Sequence, residues 1–151
     1  MVFLWENKVH RAEEILSAVV TALTGLATTG ASVERDRVYP AQSCPALSIE
    51  QGGEEPIQGR ENMQFQDSAL EVEVAVYVKS QSLNTQLNQI KAEVYAALMA
   101  NRQLGLAYVY DLQWLGDTAP EPNRDSDSPT TKCSMRFAVA YRHSLTSKET
   151  S

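Results

Sequence analysis

The 151-residue chain has little of what most site chemistry needs: two cysteines and two histidines. Cys44 and Cys133 lie far apart, which reads as free thiols rather than a disulfide framework. His10 and His143 stand near opposite ends with no spaced Cys, His or Asp partner, a pattern that argues against a zinc site. His10 reads as an exposed residue of a first helical turn. No serine sits in a Gly-x-Ser-x-Gly setting and no glycine-rich phosphate loop is present, so the common motifs of hydrolases and nucleotide binders are missing. No cofactor is implied. No apolar run approaches the ~20 residues of a membrane helix. Met1 to Trp5 is apolar, but it is too short for a signal-peptide core and meets Glu6 without a cleavage pattern, so the expectation is a protein made in the cytoplasm with no membrane partner. Lysines do not cluster. Arg35, Arg37, Arg136 and Arg142 are matched by neighbouring acids and lack interleaved aromatics, which argues against specific nucleic-acid binding. There is no internal repeat.

What is present is an ordinary globular composition, 43% hydrophobic and 21% charged, sized for one domain over 1–151. The net charge of −6 is unevenly placed. Glu50, Glu54, Glu55 and Glu61 against Arg60 make one acidic stretch. Asp117, Glu121, Asp125 and Asp127 against Arg124 make a second, and the rest of the chain is balanced. Such segments are either solvated loops or faces that meet charged partners.

The most regular stretch is Ala69 to Ala100. Leu70, Val72, Val74, Val76 and Val78 alternate with Glu71, Glu73, Tyr77 and Lys79, the pattern of a half-buried strand. Leu83, Leu87, Ile90, Val94 and Leu98 then recur at helical spacing and supply a cover for the valines. A first helix is expected over roughly 8–26, capped by Asn7, with Val9, Ala12, Leu16, Val19, Leu23 and Leu26 as its stripe. Phe3, Leu4 and Trp5 precede it in an N-terminal arm (1–7). Three large apolar groups exceed what one hydrophobic staple needs. Strands are expected at 45–50, 69–79, 108–115 and 133–142, long polar loops at 51–67 and 116–131, and a polar tail at 144–151. The fold class follows as α+β: a four-stranded, mostly antiparallel sheet with two helices on one face, order α-β-β-α-β-β, and two long hairpin loops. Glu71 and Glu73 share a strand face, which reads as a solvated face rather than an acid–base pair.

In the helix Arg11 to Leu26, the stretch Val38-Tyr39-Pro40 leading to Cys44 through Ile49, the strand Leu70 to Val78, the helix Leu83 to Leu98 and the closing strand Arg136 to Tyr141, the chain resembles the tail terminator proteins of long-tailed bacteriophages, also called tail completion or minor tail protein U-like proteins. Neck and head–tail joining proteins share much of this pattern. The resemblance implies a non-enzymatic virion protein: a hexameric ring that caps the head-proximal end of the tail tube, ends tube growth and joins the tail to the head connector. Its implied partners are other copies of itself, the tail tube protein, a connector or neck protein and the sheath protein, with DNA passing through the lumen. The family offers no catalytic residues to carry over. On this reading Phe3, Leu4 and Trp5 form a subunit interface. Glu54, Glu55, Arg60, Asp117, Glu121, Arg124, Asp125 and Asp127 sit in loops that meet partners, and Glu71 and Glu73 line the lumen, where acids avoid gripping DNA phosphates. The alternatives are a neck protein, a small cytoplasmic adaptor domain, or an enzyme subunit whose site lies at an interface.

Overall fold

The structure, a computed structural model, describes residues 10–37, 43–79, 83–123 and 130–149; within those elements the side chains of Leu83, Asn84 and Asn123 are not described. The element order is α1 (Arg11–Leu23), β1 (Val33–Arg35), β2 (Ala46–Glu61), β3 (Phe65–Lys79), α2 (Leu83–Met99), β4 (Val109–Asp117), β5 (Glu121–Asn123) and β6 (Thr130–Ser144). The sheet has six strands in the order β1-β2-β3-β6-β4, with β5 beside β6. β1 is parallel to β2, and every other pair is antiparallel.

This corrects the four-stranded α-β-β-α-β-β expectation in strand number, element order and pairing. The expected 51–67 loop is the outer half of a long hairpin: β2 continues to Glu61 and β3 begins at Phe65. The turn between them is tight, with Asn62 Oδ1 accepting from the backbone N–H groups of Gln64 (2.7 Å) and Phe65 (2.9 Å). Two register shifts, between Gln51 and Glu54 and between Pro56 and Glu61, break the alternation that would have marked a strand. Gly52 is there for close approach, because a Cβ at that position would lie 2.9 Å from Glu71 Cβ. The expected 116–131 loop is shorter for the same kind of reason. Gly116 and Asp117 finish β4, Thr118 is tied to Ser134 by backbone and side chain, and β5 pairs with Thr130 to Lys132. Strand β1 is the charged stretch Val33-Glu34-Arg35, which no local pattern assigns to a parallel partner.

The core lies between one sheet face and the two helices. From the sheet it takes Leu47, Ile49, Leu70, Val72, Val74, Val76, Val78, Met135, Phe137, Val139 and Tyr141. From the helices it takes Ile15, Leu16, Val19 and Leu23 of α1 and Leu87, Ile90, Val94 and Leu98 of α2. The spacing of these helical residues gives each helix one apolar stripe; α2 lies over the even positions of β3 and α1 over β1 and β2, all in one core. Helix α1 is capped by His10, whose Nδ1 accepts from Ala12 N–H at 3.0 Å, so that His10 is exposed but acts as the cap. The expected cap Asn7 and the arm 1–7 lie outside the described residues. Helix α1 ends before Gly25, which takes φ +93°. No described helix is long and apolar enough to cross a membrane.

Candidate functional site

The second face of the sheet carries no helix. Its middle is floored by Ala69, Ala138 and Ala140, with Ala69 opposite Ala140 across the β3–β6 pair. Small side chains on adjacent strands leave a cleft of about 430 Å³, walled by Ile57 and Arg60 of β2 on one side and by Tyr110, Asp111 and Gln113 of β4 on the other. The bulge at Val109/Asp111 gives Tyr110 its place at this wall.

One end of the cleft is a charge cluster. Asp67 is fully buried and accepts from Arg142 Nε at 2.9 Å and Nη2 at 3.4 Å, while Arg60 Nη2 lies 3.0 Å away. Two guanidinium groups therefore face one carboxylate. Arg142 also lies 3.4 Å from the Phe65 ring centroid and 5.0 Å from that of Tyr110, and Arg60 lies 5.4 Å from Tyr110. The hydrogen bond to Asp67 holds the Arg142 proton more tightly than usual. At the other end Arg136 Nε meets Glu71 at 2.6 Å, and on the rim Arg102 binds both oxygens of Asp111 at 2.7 and 2.9 Å. The arrangement can hold an extended segment with apolar side chains and a carboxylate. Among the described residues no three His, Cys, Asp or Glu are disposed to hold a metal ion.

The helix side holds a polar cluster of its own. Ser68 Oγ and His143 Nε2 are 2.9 Å apart, with His143 Nδ1 2.9 Å from the Ser144 carbonyl. Both side chains are buried, so this pair satisfies itself inside the fold rather than facing a substrate. Nearby, Tyr141 donates to Glu54, and Lys148 Nζ lies 3.4 Å from Glu54. Burial, then the hydrogen bond to Glu54, raises the Tyr141 phenol above its usual range. At the β4 edge, Trp114 and Leu115 are about half exposed. The Trp114 ring meets Tyr95 of α2 edge-on at 6.0 Å, and its Nε1–H donates to Asp117 at 2.8 Å.

The residues singled out from sequence are therefore dispersed. Glu54 points to the helix side. Glu55 and Glu121 are exposed, Arg60 belongs to the Asp67 cluster, and Asp117 joins Lys91 (2.9 Å) to Trp114. Glu71 is neutralised by Arg136, while Glu73, half-buried, lies opposite Arg136 in register. Phe3, Leu4, Trp5, Arg124, Asp125 and Asp127 lie outside the described residues. Sequence reasoning missed Asp67, which it placed in a polar loop. The available signal was parity: Asp67 shares the odd face of β3 with Ala69 and Glu71. Nothing in the sequence pairs Ser68 with His143.

No family model matches the chain, and no curated protein matches it. Among solved structures it is similar to a chain from the virion of a native gene transfer agent (GTA) particle, at 16% identity and a TM-score of 0.52, covering 88% of each chain. At that identity the likeness shows a shared fold.

Proposed function

We propose that the chain is a structural virion protein, a tail terminator: a subunit of a hexameric ring that caps the head-proximal end of a phage tail tube, ends its polymerisation and joins the tail to the head connector. It is not an enzyme and uses no cofactor. Its partners are its own copies, the tube protein and a connector or neck protein, and it works in the virion after assembly in the host cytoplasm. The observation that carries the reading is the fold shared across 88% of both chains with a chain of a GTA virion. The surfaces support it, since a sheet face without helices and a β4 edge bearing Trp114 and Leu115 offer contacts for neighbours, and contiguous exposed apolar groups usually mark interfaces. With Glu71 held by Arg136, Glu73 is the residue of that pair left to keep the channel wall acidic.

Mass in solution tests this reading. Sedimentation of the purified chain, alone and with tube protein, should reveal a species of six times the 16.7 kDa of one chain. A monomer under both conditions that instead binds a small metabolite would overturn it in favour of an enzyme subunit.

A further inference from the structure

We propose that the cleft on the helix-free sheet face receives the N-terminal arm, residues 1–6, of a second copy of the chain, so that neighbouring subunits are tied by arm exchange; this rests on the ring reading above. The cleft suits a peptide. Its floor of Ala69, Ala138 and Ala140 leaves room for incoming side chains, and Ile57 and Tyr110 give it apolar walls. Its volume, about 430 Å³, suits a few large side chains.

Charge selects among occupants. Asp67 is shared by Arg60 and Arg142, so two guanidinium groups face one carboxylate at the cleft's end, with Glu55 opposite Ala69 further along the same face. Both arginine side chains remain partly exposed, at 53% and 36%, and can take a further carboxylate. The arm reads Phe3-Leu4-Trp5-Glu6, three large apolar groups followed by that carboxylate.

Position selects the copy. The described chain begins at His10, which bridges Glu149 in antiparallel sense; Arg11 N–H donates to the Lys148 carbonyl, and Arg11 Nη1 donates to the carbonyl of Arg142 itself. The arm is therefore rooted beside the charged end of the cleft. The bridge is antiparallel, so the described chain enters at His10 on the Glu149 side and runs from there toward Arg142; an arm that continues the same line lies on the far side of Glu149 from Arg142, which favours a neighbour's cleft over its own. The four residues from His10 to Glu6 reach about 13 Å when extended, just beyond the ~10 Å between packed layers, so the neighbour's arginines must lie close to His10.

Disulfide trapping across copies tests the proposal. Full-length chains in which the partly exposed free thiol Cys44 is replaced (Cys44→Ser) and which carry Leu4→Cys are assembled with Cys44→Ser chains carrying Gln113→Cys and oxidised mildly; Gln113 is exposed, so folding is not at risk. The expected result is a covalent pair of one chain of each kind, absent when either variant is oxidised alone. Adding Glu6→Lys to the first chain should lower its yield about five-fold. A chain carrying both cysteines that closes only on itself would place the arm in its own cleft and overturn the exchange. Rings of normal mass without any link would overturn the arm's placement while leaving the ring standing. Chains that neither link nor assemble would overturn both.

Discussion

The two faces of β3 are built from alternate residues of one strand and are held by different means. Leu70, Val72, Val74, Val76 and Val78 share one continuous core with α1 and α2. Asp67, Ala69 and Glu71 look the other way, onto a face held by ion pairs with Arg142, Arg60 and Arg136 around small side chains. One face is stabilised by volume and tolerates no gap. The other stays open from Asp67 to Glu73, where its charges orient rather than fill, and closes only at its far end, where Ala46, Ala75 and Tyr77 are buried together. The covered face makes the fold, and the open face leaves a cleft lined by small side chains and charges.

That division is tested most strongly by truncation in the core. Phe137, fully buried between sheet and helices, should cost about 3–5 kcal/mol when replaced by Ala, read as a fall in denaturation midpoint with an unchanged slope. An effect below about 1 kcal/mol would break the contrast. On the open face Asp67→Ala should cost less, about 1–3 kcal/mol, because it removes hydrogen bonds to arginines that keep access to water. A loss as large as that of Phe137→Ala would mean the open face also carries the fold.

A smaller effect concerns pH. The buried Tyr141 phenol holds its proton in the folded state past its ordinary value of 10.0, whereas the unfolded chain releases it there. Its contribution is thus fully present below pH 10 and is lost as pH rises from that value toward the folded one. Urea midpoints should fall between pH 9 and pH 11, and Tyr141→Phe should flatten that fall. An equally steep fall in the variant would assign the alkaline loss to other groups. Smallest of all, Glu73→Lys on the open face should leave the melting temperature within about 2 °C of the parent. In the virion it should slow DNA release, most visibly at low salt.

The same contrast decides what was legible in the sequence. The β3–α2 unit is written in local periodicity, five alternating aliphatics and then a helical stripe; the structure places the helix where that pattern puts it, Leu83–Met99, and keeps the expected 69–79 strand while starting it earlier, at Phe65. The outer half of β2 was not legible. Gly52, Gly53, Pro56 and Gly59 are turn formers, yet Gly52 answers to Glu71 across the pair, and bulges absorb the broken alternation. Beyond Ile49, β2 is paired on one side only among the described residues, so Pro56 removes no obligatory ladder bond. Asp67 was illegible as a site because its burial depends on Arg142, distant in sequence and brought beside it by the β3–β6 register. His10 resembled a surface residue, and its capping role is visible only once Ala12 N–H is placed against Nδ1.

Tube growth offers the most direct measurement of the central claim. Tube protein polymerising in the presence of the purified chain should stop at a length set by the moment of addition, with the chain bound at one end of each tube in electron micrographs. Tubes that keep growing, with the chain absent from their ends, would contradict the account.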